Sequence, residues 1–243
     1  MSGVISLLRK DFRTVARDRF LLFMCAYAPL LAWLFRLAVD RIPVENLDLY
    51  VAPFVVTLGG SLASMVFGLG LIEEREQRTW LLMRVVPFSR RAHSVYLVAV
   101  TTALAFVLGL TAAAVYGEPA ADLPELVALT AVASLTAPLA TLFLGVAASN
   151  KVEGMALAKI VSSMSVVPAL AFVVPVPWQV TLVWSPHYWI YLGLLRAYAG
   201  EAQLESLAIQ WPAHAAWIDT LVAGVLCLAG IHVLGRIERR RVH

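Results

Sequence analysis

The chain has 243 residues, of which 60% are apolar and 14% are charged, and its mean hydropathy is +0.79. Soluble globular domains carry about 25% charged residues, so the composition excludes that class and predicts an all-α polytopic membrane protein. The net charge is only +3, and both cysteines, Cys25 and Cys227, fall in apolar stretches. No disulfide framework and no cysteine-based metal site is therefore predicted.

Residues 1–19 form the first predicted element, a basic amphipathic helix. Apolar residues at helical spacing share one face and cations lie mainly on the other, namely Val4, Ile5, Leu8, Phe12 and Val15 against Arg9, Lys10, Arg13 and Arg17. This pattern is typical of a helix lying in the cytosolic interface of a membrane. A nucleic-acid-binding arm is the alternative, but the apolar stripe and the direct junction with a span disfavour it. No signal-peptide cleavage site closes the first apolar stretch.

Apolar stretches long enough to cross a bilayer define the rest of the chain. Six spans are predicted, over residues 20–39, 49–72, 94–116, 126–149, 155–174 and 215–234. Most of the 19 Lys and Arg residues lie in the N-terminal arm, the segment 73–93 and the C-terminal tail. By the positive-inside rule these parts, and both termini, are expected in the cytosol.

The segment 175–213 is apolar and aromatic but interrupted by prolines and glycines. This pattern predicts one or two short re-entrant helices that dip into the outer leaflet before the last span. Its aromatic side chains are expected at headgroup level: Trp178, Trp184, Tyr188 and Trp189.

Small residues recur at four-residue intervals in the second predicted span, at Gly60, Ser64 and Gly68. Such a stripe lets helix backbones approach closely, which favours helix association in lipid. Spacing alone leaves open whether the neighbouring helix belongs to this chain or to a second one.

Charged residues are concentrated in the segment 73–93, between the second and third spans. Thr79 to Val86 has the apolar spacing of a short amphipathic helix, and Pro87 ends it. A helix of about two turns cannot cross a bilayer, but it can dock into a groove on a cytosolic partner. The alternative is an ordinary solvated loop on the headgroups.

Catalytic signatures are missing from the sequence. GxxxxGK[ST], HExxH and GxSxG do not occur, so no enzymatic activity and no bound cofactor is predicted for this chain. Ionisable residues within spans are the remaining functional candidates, namely Lys159, Asp219 and His232. Lys159 can reach the cytosolic surface or pair with Glu153, whereas Asp219 and His232 are roughly 20 Å apart along a helix.

The charged segment resembles the loop between the second and third spans of ABC-2 type transporter permeases. The family pattern E-R-E-x-G-T is matched at Glu74, Glu76 and Thr79 and is followed by Leu82 and Pro87, while Arg78 stands where glycine is usual. SNKVEGMALAK (149–159) and SPHYW (185–189) are similar to the drug-export branch, which includes fluoroquinolone-efflux permeases.

The resemblance implies a single ABC-2 type transmembrane domain over residues 1–243, acting as half of a transporter in the cytoplasmic (inner) membrane. The segment 73–93 would hold the coupling helix that engages a separate ABC ATPase, present in two copies and binding ATP and Mg. A second permease chain, identical or different, would complete the path for a small amphipathic cargo such as a drug.

Site residues follow from the same resemblance. Glu74, Glu76 and Arg78 would contact the rim of the ATPase cleft, with Thr79, Trp80, Leu82 and Pro87 forming and ending the docked helix. Gly60, Ser64 and Gly68 would lie at a dimer seam or pathway. Ser162, Ser163 and Met164 would face the cargo, although serines at such positions also bond to their own helix.

Two other functions stay open at this stage. Within the family, the cargo could be a lipid-linked glycan, a lipid or a peptide. Outside it, Lys159, Asp219 and His232 would suit an ion- or proton-coupled carrier that works without ATP. An intramembrane enzyme is disfavoured because no paired catalytic groups are visible.

Overall fold

All regular structure in the described part of the chain is helical. The computed structural model describes residues 19–44, 46–77, 90–117, 119, 121–164, 166, 180–206 and 216–241. The helices are α1 (Arg19–Val39), α2 (Leu47–Glu76), α3 (Arg90–Tyr116), α4 (Leu123–Ser134), α5 (Thr136–Ala147), α6 (Lys151–Met164), α7 (Pro186–Ser206) and α8 (Ala216–Arg241), with a 3₁₀ turn at Val180–Leu182. The predicted all-α class is confirmed for these residues.

Four helical segments among the described residues are long and apolar enough to cross a membrane. They are Leu47–Glu76, Ala92–Tyr116, Leu123–Ala147 and Trp217–Glu238, and a shorter apolar segment, Ala26–Val39, lies in α1. The membrane class is therefore supported, whereas the number of six spans stays a prediction. The interfacial helix predicted over residues 1–19 and the helix predicted at Thr79–Val86 lie outside the described residues, apart from Arg19.

The central element is α2, which packs against α1, α3, α4, α5, α6 and α7. Its stripe of small residues faces α5. A Cβ atom added at Gly60 would lie 2.8 Å from Thr136 Oγ1, and one added at Gly68 would lie 2.7 Å from Leu144 Cδ1. Between them the Thr141 hydroxyl donates to the carbonyl of Ser64 at 3.5 Å.

The stripe packs within this chain. Gly60, Ser64 and Gly68 are all buried, because the absence of bulky side chains lets α5 approach the α2 backbone. Their place at a dimer seam or pathway stays a prediction.

The predicted fourth span, 126–149, is two helices in the structure. The interruption is at Leu135, between α4 and α5. Pro138 explains its position, since proline has no N–H to donate to the carbonyl four residues earlier, which is that of Ser134. Two hydroxyl groups bond to backbone carbonyls beside the interruption. The Ser134 hydroxyl donates to the Ala131 carbonyl at 2.6 Å, and the Thr136 hydroxyl donates to the Ala133 carbonyl at 2.7 Å.

The prediction of short helices over 175–213 is corrected by α7, a single helix of 21 residues. Pro186 occupies its first position, where the missing N–H costs nothing. The helix continues through Gly193, against which Leu129 packs closely. Tyr188 and Trp189 are buried in the core, not presented at the surface, whereas Trp184 is 70% exposed. Trp178 lies outside the described residues.

Candidate coupling site at the end of the central helix

Helix α2 does not stop at Ile72, where its apolar sequence ends. It continues through Glu73 to Glu76, because glutamate and arginine are good helix formers and no proline or glycine intervenes. Gln77 closes the helix by donating its N–H to the Glu73 carbonyl at 2.9 Å, and its side-chain amide donates to Glu73 Oε1 at 3.1 Å. The first three residues of the charged family motif, Glu74 to Glu76, therefore continue the buried helix.

Helix α6 begins beside this end of α2 with a well-made N-cap. Asn150 Oδ1 accepts the N–H of Glu153 at 2.9 Å, and Glu153 Oε2 accepts the N–H of Ser149 at 2.7 Å. This is a variant of the capping box, in which two otherwise unsatisfied donors are bonded reciprocally. The cap starts the helix at Lys151, four residues before the predicted start of the fifth span.

Three polar contacts hold the end of α2 in what we call the α2–α6 junction, formed by Glu73, Arg75, Glu76, Ala148 and Lys151. Two of them reach Lys151 at the start of α6, and one reaches Ala148, which directly follows α5. The Lys151 ammonium lies 2.9 Å from Glu73 Oε2, and the Lys151 backbone N–H donates to Glu76 Oε1 at 2.9 Å. Arg75 Nη1 donates to the Ala148 carbonyl at 3.3 Å. The charged end of α2 is thus attached to the start of α6 at two points and to the end of α5 at one.

Apolar packing lies directly beneath the junction. Ile72 is fully buried and clusters with Leu144, Ala148 and Ala158, and the glycine at 154 admits its side chain against α6. Because close-packed contacts resist displacement, a movement applied to this end of α2 would be passed to α6.

The ion pair in the junction is half-exposed, with Lys151 at 47% and Glu73 at 44% of their side-chain areas. The hydrogen bond to Glu73 and the charge of that carboxylate raise the pKa of Lys151. Since solvent and salt screen exposed pairs, their contribution to stability is small. The junction matters more for the relative position of two helices than for the stability of the fold.

Asn150→Ala should fray the first turn of α6, because the Glu153 N–H loses its side-chain acceptor. N-cap losses of this kind cost about 1 kcal/mol, so amide exchange over residues 151–154 should speed up about fivefold. Hydrogen exchange with mass spectrometry on the detergent-solubilised protein measures this. Asn150→Ser, which retains an acceptor, is the matched control, and equal exchange in both variants would contradict the assigned cap.

The structure brings together only part of the predicted site. Glu76 belongs to the α2–α6 junction, and Glu74 Oε2 lies 3.9 Å from His93 Nε2 on α3. Arg78, Thr79, Trp80, Leu82 and Pro87 lie outside the described residues.

The predicted cargo-facing group lies near the end of α6. Ser162 is half-buried and Ser163 is exposed, and Met164 ends the helix. The Ser163 hydroxyl donates to the Lys159 carbonyl at 2.9 Å, as expected if this serine bonds to its own helix.

The three in-span ionisable residues do not meet. Lys159 and His232 are exposed, whereas Asp219 is fully buried and lies 3.0 Å from Arg196 Nη1. This ion pair was not predicted from the sequence, which placed Arg196 in the re-entrant segment 175–213. The sequence signal that could have revealed this pair is one basic residue, Arg196, in one apolar segment and one acidic residue, Asp219, in the next.

A comparison with protein families decides the identity. The profile described as "Fluoroquinolones export permease protein Rv2686c-like" matches residues 11–222, a range that includes the charged segment, the α2–α6 junction and α7. The chain belongs to the Rv2686c-like permease family. The resemblance to drug-export permeases is thereby confirmed, and a search of the curated proteins found no match.

The α2–α6 junction is the candidate coupling site in this permease. Its residues on α2, Glu73, Arg75 and Glu76, directly precede the segment 78–89 in the chain, and Lys151 begins α6.

Proposed function

We propose that this permease is the membrane-spanning subunit of an ATP-driven exporter and that it moves amphipathic small molecules of the fluoroquinolone type out of the cell. The family match over residues 11–222 carries this proposal. The chain itself has no nucleotide-binding motif, so ATP and Mg would be bound by a separate ABC ATPase in two copies. A second permease chain would complete the assembly in the cytoplasmic membrane, with both termini in the cytosol.

The geometry supports a mechanical role for the end of α2. The ATPase would engage the segment that follows Gln77 and displace it during ATP binding and hydrolysis. Because α2 is one unbroken helix of 30 residues, displacement at Glu76 would reach the core without being absorbed by a loop. The α2–α6 junction would carry the same displacement to α6, so that both helices move together and alternate the access of the path.

The carrier hypothesis loses its structural motivation. It requires Lys159, Asp219 and His232 to cooperate, but the first and last are exposed and the second is paired with Arg196 on α7. A chain of ionisable groups suited to proton transfer is not formed by these three residues.

Inside-out membrane vesicles can test the proposal. They are prepared from cells in which the permease under test is the only version of this protein. ATP should drive uptake of a fluorescent fluoroquinolone, and an ionophore that collapses the proton gradient should not stop it. Leu82→Asp should abolish this uptake by placing a charge on the docking face, whereas Leu82→Met should preserve it. Uptake driven by a pH gradient without ATP, or full activity of the Leu82→Asp variant, would refute the proposal.

The same vesicles separate drug export from the other cargo classes. Stimulation of ATP hydrolysis by fluoroquinolones, but not by lipid-linked sugars, lipids or peptides, is the expected pattern. The reverse pattern would retain the coupling mechanism and replace the cargo.

A further inference from the structure

A buried ion pair joins α7 to α8. Arg196 Nη1 lies 3.0 Å from Asp219 Oδ2, with 14% of the arginine side chain and none of the aspartate side chain exposed. Asp219 is in the first turn of α8, where the helix dipole favours an anion. The two helices are packed at this point, since a Cβ atom added to Gly193 would lie in van der Waals contact with Asp219 Cβ, at 3.7 Å.

Such a pair is a poor means of holding two helices together. Removing two charges from water costs about as much as their attraction returns, and apolar residues of similar volume often serve as well or better. Ionisable groups inside a membrane are accordingly rare and tend to mark the working parts of transport proteins. A requirement beyond packing is therefore the better explanation for Arg196 and Asp219.

Helix α7 also makes neutral contacts with helices other than α8. The Tyr191 hydroxyl donates to the Tyr50 carbonyl at the start of α2, and the Tyr198 ring meets the Tyr116 ring of α3 edge-on at 6.2 Å. The Ala121 N–H, just before α4, donates to the Ala197 carbonyl at 2.8 Å. Helix α7 is thus built into the group formed by α2, α3 and α4.

Helix α8 is peripheral by comparison. It carries an exposed apolar face that includes Trp217, Leu221 and Val225. Further along, Gly230 packs closely against Leu139 of α5. Helix α8 also packs against α7, and its buried Ala223 and Cys227 belong to the same apolar cluster as Tyr188 and Leu192 of α7. The ion pair adds a polar contact to this packing at the first turn of α8.

We infer that Arg196 and Asp219 are positioning residues for transport, forming a latch between α7 and α8 that opens and closes again in each transport cycle. Separated charges are very costly in hydrocarbon but are tolerated once water or a polar cargo reaches them. The pair would therefore keep α7 and α8 together until the path is hydrated and then release them. An apolar contact would not make this release depend on the arrival of water. This inference rests on the proposed function.

Paired substitutions in the assembled transporter separate a latch from a structural contact. Arg196→Met combined with Asp219→Leu should preserve the amount of folded permease and ATP hydrolysis, but should lower ATP-driven export about tenfold, within the range of typical coupling free energies. Arg196→Asp combined with Asp219→Arg restores the pair and should recover most of the export. Wild-type export by the apolar double variant would overturn the inference.

A second test measures a distance in protein whose Arg196–Asp219 pair is unchanged. Cys25 and Cys227 are changed to alanine, and cysteines that carry spin labels replace the exposed Trp184, just before α7, and Trp217, in α8. The distance between the two labels reports the separation of α7 and α8. Trapping the ATPase with ADP and vanadate should lengthen this distance relative to the nucleotide-free state. An unchanged distance in a variant that still exports would exclude a latch, whereas a wild-type protein without ATP-driven export would refute the proposed function instead.

Discussion

Gly59→Ala should markedly destabilise this permease, whereas Gly70→Ala in the same helix should not. A Cβ atom at position 59 would lie 2.8 Å from the Gly109 backbone nitrogen and 2.9 Å from Leu108 Cβ, while nothing lies within 4 Å of one at position 70. Backbone atoms cannot rotate away as the end of a side chain can, so α2 and α3 would have to separate. Overpacking of this kind costs about 2 kcal/mol.

The comparison is sharp because both substitutions have the same effect on helix propensity, which favours alanine by about 1 kcal/mol. The temperature at which a fluorescently tagged protein loses its monodisperse elution profile in detergent measures the difference. Gly59→Ala should lower this temperature by several degrees, and Gly70→Ala should leave it unchanged or raise it. Equal shifts in the two variants would show that α2 and α3 do not pack as described.

Lys151→Glu should lower ATP-driven export about tenfold, the size of a typical coupling effect, while leaving the amount of folded permease unchanged. The new carboxylate would face Glu73 Oε2, now 2.9 Å from the Lys151 ammonium, in a junction that already contains Glu76. Repulsion would push the start of α6 from the end of α2, so the ATPase would move one helix without the other. Solvent screening keeps the effect on folding small.

Charge exchange provides the control. Glu73→Lys combined with Lys151→Glu restores the attraction and leaves the backbone N–H of residue 151 free to bond Glu76, so export should recover; Lys151→Arg should export normally. Drug uptake and ATP hydrolysis measured in the same vesicles show whether the two have become uncoupled. Normal export by Lys151→Glu would mean that the junction does not transmit motion.

Several features of this protein were predictable because they depend on residues near one another in the chain. Hydropathy over windows of about twenty residues was sufficient for the all-helical membrane class. The pattern around Glu74, Glu76 and Pro87 was sufficient for the family resemblance. The start of α6 was also readable in principle, since Asn150 and Glu153 have the spacing of a capping box.

Other features were predicted wrongly because a local rule was overridden by packing. Gly193 appeared to interrupt a helix, yet it lies inside α7, where Leu129 and α8 pack against it. The cost of glycine in a helix is about 1 kcal/mol, which tertiary contacts readily exceed. Tyr188 and Trp189 looked interfacial by residue type, but the same packing buries them.

Local patterns in the sequence were enough to identify a helical membrane protein of the drug-export permease type, with a charged segment after its second apolar stretch. That Gly60, Ser64 and Gly68 face α5 of the same chain, and that Arg196 pairs with Asp219, became clear from the packing of the helices. A small residue or a buried charge requires a close neighbour but does not specify which one. That choice is made when helices distant in sequence pack together.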